Sequence, residues 1–244
     1  LLNLSYYQID DYLTCPLKYK YVNILRVPIM EHHTVIYGRA MHEAVTKYFQ
    51  YKIAGKKMGA QELIDAFAGS FDPQGFLDEK HQKERFSVGT KALYNFFARE
   101  EKEEILPTYI EKDFSFILEG NKINGRFDRV DLLESGAVIL DFKTSEIKIQ
   151  READKRAKES LQLSLYALAF KNIFGVLPQS LKLYFLESGI IGSRNTEEKD
   201  LEKVRDRIIE VSSGVRKGEF NATPSFIACA YCAYNQICSH AQKG

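Results

Sequence analysis

The stretch AVILDFKT at residues 137–144 decides the fold. Its apolar first half predicts a strand that is buried on both faces. Because side chains alternate along a strand, Asp141 and Lys143 point to the same face. A carboxylate and an ammonium group on one face of a buried strand indicate a site for chemistry, although a pair with this spacing also occurs on sheet surfaces.

The segments before this strand supply a second carboxylate. Apolar and polar residues alternate over 109–119, Gly120-Asn121 is a hairpin signal, and 123–133 reads as a second strand. In the resulting three-stranded meander, Asp128 can lie across from Asp141. Two carboxylates and an ammonium group are costly to bury together unless a cation or a charged substrate joins them. Mg²⁺ or Mn²⁺ would fit, because both prefer hard oxygen ligands.

The segments after this strand complete an α/β pattern. A charged helix is predicted over 151–174, and Gln162 and Tyr166 lie on one face of it because they are four residues apart. By itself such a pair is more often found on a helix surface. A strand at 181–186 and a helix at 197–217 follow. Helices are predicted before the meander. The order of helices and strands along the chain therefore predicts one α/β domain with an αβββαβ core around a mixed central sheet.

Composition limits the class of protein. The chain has 244 residues, of which 45% are hydrophobic and 27% charged, and this excludes a wholly disordered chain. No apolar run approaches the ~18–20 residues of a membrane span, and residues 1–12 have no features of a signal peptide. The sequence therefore predicts a cytoplasmic protein with no membrane partner. The formal net charge of +1 gives no support to a nucleic-acid partner and does not exclude one.

The cysteines form a second candidate site. Cys229, Cys232 and Cys238 have C-x2-C-x5-C spacing, which suits thiolates on one metal or cluster better than an ordinary structural disulfide. A fourth ligand is needed. Cys15 is the remaining cysteine, and His240 is a competing ligand. An iron–sulfur cluster is favoured over zinc, although spacing alone does not separate them, and buried unliganded thiols are the alternative to both.

Several motifs occur in the same order as in a known family. Four of them resemble the motifs of PD-(D/E)xK nucleases of the RecB type: GRAMH at 38–42, GRFD at 125–128, ILDFKT at 139–144 and QLSLY at 162–166. The opening SYYQIDDYLTCP at 5–16, with the C-terminal cysteines, resembles the iron–sulfur branch of that superfamily. This branch includes AddB-type helicase–nuclease subunits and CRISPR-associated nucleases. The resemblance covers almost the whole chain and implies a restriction-endonuclease-like α/β fold.

The resemblance also implies a metal site. His42, Asp128 and Asp141 would bind a divalent cation, Mg²⁺ or Mn²⁺. The backbone carbonyl of Phe142 would be a further ligand. Lys143 would position or activate the attacking water and offset charge on the phosphorus, so that no protein nucleophile is needed.

Two further groups of residues receive roles from the resemblance. Gln162 and Tyr166 would hold the nucleophilic water or the scissile strand. A 4Fe–4S cluster that joins the two ends of the domain would be held by the four cysteines, Cys15, Cys229, Cys232 and Cys238.

The domain organisation follows from these assignments. A single nuclease domain is predicted over 1–244. Its helical N-terminal part, which includes Cys15 and His42, covers 1–106, its catalytic core 107–190, and its C-terminal helix and cysteine-rich tail 191–244.

The implied function is hydrolysis of DNA phosphodiester bonds by a metal-dependent exonuclease in recombination and repair. The substrate would be single-stranded or unwound DNA, or duplex ends. A helicase domain or subunit would be a further partner, with the chain as part of a larger helicase–nuclease, and a stand-alone nuclease is the alternative. Two other readings are an inactive module that binds DNA or a helicase, and a zinc-stabilised interaction domain.

Overall fold

The computed structural model describes residues 1–76 and 78–242. They form two compact units. One combines residues 1–30, 114–125 and the segment from 198 to the end of the described chain, and the other combines 31–113 and 126–197. The predicted tail ends at 243–244, outside the described residues, and the division of the chain into one domain with three parts stays a prediction.

A mixed sheet forms the centre of the second unit. Five of the six strands of the sheet contribute to this unit, in chain order β2 (Tyr109–Leu118), β3 (Asn121–Leu133), β4 (Gly136–Lys143), β5 (Ser180–Phe185) and β6 (Ile190–Asn195), although residues 114–118 of β2 and 121–125 of β3 belong to the first unit. β2 pairs with β3. β4 is antiparallel to β3 and parallel to β5, and β5 is antiparallel to β6. Residues 137–142 of β4 are all buried, so the prediction of a strand buried on both faces is confirmed, as is the α/β fold with a mixed sheet.

Helices surround this sheet. In chain order they are α3 (His33–Ile53), α4 (Ala60–Ser70), α5 (Glu79–Glu100), α6 (Gln150–Glu159) and α7 (Leu161–Phe174). α3, α4 and α5 share one apolar core with β4, in which Phe49 stacks on Phe142 with ring centroids 6.1 Å apart. α7 packs on β4 and β5, and α6 packs on β6.

The predicted helix over 151–174 was wrong in one respect, because it is two helices. Ser160 separates α6 from α7 with an extended backbone (φ −68°, ψ 111°). Its hydroxyl accepts a hydrogen bond from the Leu163 amide at 3.2 Å, so it caps α7. The break lets α7 take its own direction, and α7 is the helix that carries Gln162 and Tyr166.

The first unit contains both ends of the described chain. Its elements are β1 (Leu2–Leu4), α1 (Tyr6–Thr14), α2 (Pro16–Tyr19), a π-helical turn (Lys20–Ile24), α8 (Glu198–Lys217) and α9 (Phe226–Ala230). β1 runs parallel to the first residues of β3. The Tyr12 hydroxyl donates to the Glu219 carbonyl at 2.7 Å, and the Tyr234 hydroxyl donates to the Val27 carbonyl at 3.0 Å. None of the described helices is long and apolar enough to cross a membrane.

A glycine in the first unit explains one motif residue. Gly125 precedes Arg126 in the GRFD motif, and a β-carbon at this position would lie 2.5 Å from Phe114 Cζ. Glycine is therefore required here for close packing of the ring on the strand.

Candidate metal centre

Two strands place the predicted carboxylates side by side. Arg129 of β3 pairs with Leu140 of β4. Asp128 and Asp141 are the next residues along this antiparallel pair, so their side chains are neighbours. Asp128 is 9% exposed and Asp141 is 1% exposed. Asp128 Oδ2 accepts a hydrogen bond from the Phe142 amide at 2.9 Å, which fixes the orientation of the carboxylate.

His42 approaches the same point from α3. Its Nε2 atom lies 2.9 Å from the carbonyl oxygen of Phe142, so this nitrogen carries the ring proton and donates to the carbonyl. Its Nδ1 atom, 3.7 Å from Asp128 Oδ2, then has a lone pair available for a cation. Metal-binding histidines commonly donate their second ring nitrogen to a carbonyl in this way. The Phe142 carbonyl, predicted as a metal ligand, thus accepts a hydrogen bond from His42.

A hydrogen-bond network joins β4 to α7. Lys143 Nζ lies 2.7 Å from Asp141 Oδ2 and donates to Gln162 Oε1 at 2.7 Å. Gln162 Nε2 donates to Asp141 Oδ1 at 2.7 Å and to the Tyr166 hydroxyl at 2.8 Å. The Tyr166 ring packs edge-on against Phe127 with centroids 5.5 Å apart. The structure therefore brings the predicted residues of β4 and α7 into direct contact, with the Gln162 amide at the centre.

Glu111 belongs to this site although the sequence analysis did not identify it. Ligand atoms of His42, Glu111 and Asp128 all lie within 4.8 Å of one another. Glu111 has a φ of +49° inside β2, a left-handed conformation that is uncommon for a residue with a side chain. Its carboxylate accepts a hydrogen bond from the Thr46 hydroxyl at 3.4 Å and from Arg126 Nη1 at 3.3 Å. A positive φ cannot be recognised from the pattern of residue types. The acidic side chain at a strand position was therefore the one signal in the sequence that Glu111 could be a metal ligand.

The electrostatics of these carboxylates fit a divalent cation. Burial raises the pKa of Asp128 well above its ordinary value, and the neighbouring Asp141 and Glu111 carboxylates raise it further, while the Phe142 amide and Lys143 oppose the shift. Asp141 Oδ2 is buried and, apart from its ion pair with Lys143, accepts no hydrogen bond among the described residues. Carboxylate oxygens with one imidazole nitrogen suit Mg²⁺ or Mn²⁺, so the residues present fit such a cation.

The cysteines share one cavity in the first unit. Cys15, Cys229, Cys232 and Cys238 all line it, together with His240, and none of them forms a disulfide. Burial raises the pKa of Cys232, and the nearby Cys15 and Cys238 thiols raise it further. Within the described residues, no three cysteine sulfur atoms lie within 4.8 Å of one another. The structure therefore brings the four cysteines to one place but does not show a metal-ligating cluster.

The central strand of this α/β sheet carries a buried carboxylate and a lysine. A histidine and two further carboxylates lie beside them. Together these features define a class of metal-dependent hydrolases. Residues 3–239 match the family model described as the PD-(D/E)XK nuclease superfamily. The chain belongs to this superfamily.

The chain is also similar to two curated proteins and to a solved structure. The chain is 22% identical over 282 residues to the Gene 69 protein of Mycobacterium phage L5, an alignment that covers 95% of this chain and 94% of the relative. It is 24% identical over 266 residues to the Gene 69 protein of Mycobacterium phage D29, with the same coverage. The crystal structure of a "Putative exonuclease" from Eubacterium rectale superposes with a TM-score of 0.60 at 14% identity, covering 99% of this chain and 90% of that one. At this identity the likeness shows the fold.

Proposed function

We propose that the chain is a metal-dependent nuclease that hydrolyses DNA phosphodiester bonds at the site around Asp128 and Asp141. One observation carries the proposal. In a chain of a nuclease superfamily, ligand atoms of His42, Glu111 and Asp128 lie within 4.8 Å of one another, next to the buried pair of Asp141 and Lys143. Buried charges of like sign persist only where an opposite charge compensates them, and the site has more carboxylates than the neighbouring ammonium group can balance.

The cation would be held by His42 Nδ1, Asp128 and Asp141, with Glu111 as a further side chain. When bound, a divalent cation supplies positive charge to the scissile phosphate and makes a water molecule more acidic. Glu111 is held at present by Arg126, which also donates to Asp113 at 2.6 Å. Because Arg126 keeps this second partner, Glu111 can turn toward a cation without leaving the guanidinium unpaired.

The chain's own residues orient the reacting groups. Lys143 offers an ammonium group beside Asp141 and stabilises negative charge that develops on the phosphate oxygens. Gln162 holds the Lys143 ammonium through its carbonyl and the Asp141 carboxylate through its amide, so both have a fixed geometry before a substrate arrives. The Tyr166 hydroxyl, on the other side of Gln162, is placed to bond to the nucleophilic water or to the substrate strand.

The mode of cleavage in our proposal is exonucleolytic, on single-stranded or unwound DNA ends. The fold shared with a protein named as an exonuclease candidate and the family resemblance support it. The resemblance also supports a role in recombination and repair together with a helicase domain or subunit.

Digestion of end-labelled linear and circular single-stranded DNA in Mn²⁺ tests the mode of cleavage. We expect progressive shortening of the linear strand while the circle stays intact, because a circle offers no end. Conversion of the circle to linear fragments at a comparable rate would show an endonuclease instead.

We further propose that the four cysteines hold a 4Fe–4S cluster of the kind found in the RecB-type iron–sulfur branch. Four soft thiolates around one cavity are the donor set for iron–sulfur or zinc. A single Zn²⁺ with bonds of ~2.3 Å would require the sulfurs to be about 3.8 Å apart, whereas no three sulfurs of the described residues lie within 4.8 Å of one another. A cluster in which each thiolate binds a different iron accommodates a wider spacing. His240 remains the alternative fourth ligand for zinc.

Replacing Cys232 with alanine tests the cluster. The expected result is loss of the brown visible absorbance of the isolated protein and a free energy of unfolding lower by about 2–5 kcal/mol, as for a native crosslink of distant segments. Melting curves and iron analysis measure both effects. Tyr231→Ala is the matched control, because Tyr231 is adjacent and 89% exposed. Zinc without iron in the wild-type protein would refute the cluster.

A further inference from the structure

A cavity with polar side chains on its walls lies beside the carboxyl end of β4. Its volume is about 440 Å³. Side chains from three segments of the second unit line it, namely His33 and Tyr37 of α3, His81 and Arg85 of α5, and Thr144 and Ser145 after β4. None of these six belongs to the metal centre. Thr144, however, directly follows Lys143, so the two sites are neighbours along the chain.

Three polar atoms on the walls of this cavity make no hydrogen bond of good geometry within the described part of the chain: His33 Nδ1, His81 Nδ1 and the Tyr37 hydroxyl, which lies near Glu187 and Arg85. Tyr37 is only 2% exposed. A buried polar group without a partner costs about 1–3 kcal/mol. Three such atoms around one cavity therefore indicate a ligand that supplies hydrogen-bonding oxygens or nitrogens.

The charge around the cavity selects the kind of ligand. The Arg85 guanidinium stacks on the Tyr37 ring, 4.3 Å from its centroid. Burial lowers the pKa of His33, and the nearby His32, His81 and Arg85 lower it further. The effect of these three neighbours indicates that basic side chains are concentrated around His33. α3 begins at His33, so the positive end of its dipole also faces this region.

Two carboxylates on the wall of the cavity, Glu187 and Glu146, balance the formal charges of Arg85 and Lys148, so the histidines, the hydroxyls and the helix end are the groups that favour an anion. Glu187 forms an ion pair with Arg85, and Glu146 forms one with Lys148 at 3.5 Å. Each carboxylate thus has a cationic partner of its own. An anion with several acceptor oxygens satisfies the histidines, the hydroxyls and the helix end together, and phosphate has this chemistry.

The position of the cavity fits a DNA strand whose scissile bond lies at the metal centre. Tyr37 and His42 are both on α3, five residues apart, which is roughly 7.5 Å along the helix axis. This distance is on the order of one to two nucleotides along a DNA strand. A second cavity, of about 460 Å³, shares Glu146 and Glu187 with the first and adds Lys91 and Lys148 to its walls. The two cavities are therefore adjacent to each other at these two carboxylates.

We infer that the cavity lined by His33, Tyr37, His81 and Arg85 is a phosphate subsite, which binds a phosphate group of the DNA strand about one to two nucleotides from the scissile bond. This inference rests on the proposed nuclease function and deepens it. The phosphate is either the terminal one of a 5′-phosphorylated strand or an internal phosphodiester, and both present the same oxygens to the subsite.

The test measures binding without cleavage. Fluorescence anisotropy of a 3′-fluorescein-labelled oligothymidylate is followed in metal-free buffer with EDTA, at a series of salt concentrations. For Arg85→Gln we expect about tenfold weaker binding at low salt and a slope of log K against log salt that is smaller by about 0.7, the value for one phosphate contact on a single strand. Arg99→Gln is the matched control, because Arg99 lies on the same helix and stacks on Tyr184 at 5.2 Å. Arg99 does not line the cavity, so the affinity of Arg99→Gln for the oligothymidylate should stay within about twofold of the wild type.

A second variant keeps the test valid if Arg85→Gln does not fold. Tyr37→Phe removes only the hydroxyl and should weaken binding by about threefold to tenfold, the effect of one lost hydrogen bond. Comparison of 5′-phosphorylated with 5′-hydroxyl strands identifies the source of the phosphate. A terminal phosphate gives a wild-type preference for the phosphorylated strand that Arg85→Gln loses, whereas an internal phosphodiester gives equal weakening for both strands.

Three results would overturn the subsite: wild-type affinity and salt slope in both Arg85→Gln and Tyr37→Phe, an equal loss in Arg99→Gln, or no binding by the wild type at low salt. Because no cleavage occurs in this assay, these results leave the nuclease function standing. Conversely, binding that depends on Arg85 in a protein that cleaves nothing would refute the nuclease function alone.

Discussion

Replacing Asp141 with asparagine is expected to reduce Mn²⁺-dependent DNA cleavage by about 10³-fold, a loss of about 4 kcal/mol of transition-state stabilisation. Asparagine has the same shape, but it lacks the negative charge that the cation and the Lys143 ammonium require. Asp141 is 1% exposed, with one oxygen on Gln162 and the other beside Lys143. The rate of release of an end label from single-stranded DNA measures the effect.

The same variant separates loss of the cation from loss of the fold. At a Mn²⁺ concentration of about 100 Kd, the wild type gains about 2.7 kcal/mol of stability, a rise of roughly 5–10 °C in Tm. Asp141→Asn should lose most of this rise while its metal-free Tm is maintained. Asp65→Asn is the control, because Asp65 is exposed on α4. Cleavage by Asp141→Asn at the wild-type rate would show that the reaction takes place elsewhere.

Replacing Lys143 with alanine is expected to reduce cleavage by about 10²–10³-fold while Mn²⁺ binding is kept. The ammonium group does not bind the cation. Instead it offsets negative charge on the phosphate, and its removal leaves every carboxylate of the metal centre in place. The Mn²⁺-induced rise in Tm should therefore equal or exceed that of the wild type, since one competing positive charge is absent.

This combination distinguishes Lys143 from the metal ligands. Lys57→Ala is a matched control for charge, because Lys57 is exposed in the loop before α4. A parallel loss of Mn²⁺ binding and cleavage in Lys143→Ala would mean that the lysine organises the metal centre and is not a separate catalytic group.

The fold could be predicted where periodic patterns are long. The apolar run of β4, the alternation of β2 and the helical stripe of α8 were visible because each repeats over many residues. β1 is three residues long and pairs with β3, which is distant in sequence, so no local pattern marks it. The break between α6 and α7 depends on one serine that caps the second helix, and serine also occurs inside helices.

The site residues could be predicted where their spacing in the sequence fixes the direction in which their side chains point. Asp141 and Lys143 share a face because side chains alternate along a strand, and Gln162 contacts Tyr166 because residues four positions apart lie on one face of a helix. Glu111 could not be predicted, because its left-handed backbone turns the side chain away from the strand pattern. The hydrogen bond between His42 and the Phe142 carbonyl was equally hidden, since it joins residues that are 100 positions apart.

The most direct test of the central claim is the rate at which metal-free wild-type protein cleaves single-stranded DNA as Mn²⁺ is added. We predict no cleavage in EDTA and a rate that rises with Mn²⁺ over the same concentrations that raise the Tm, because one site is responsible for both. Cleavage that persists in EDTA, or no cleavage at Mn²⁺ concentrations that saturate the rise in Tm, would contradict the account.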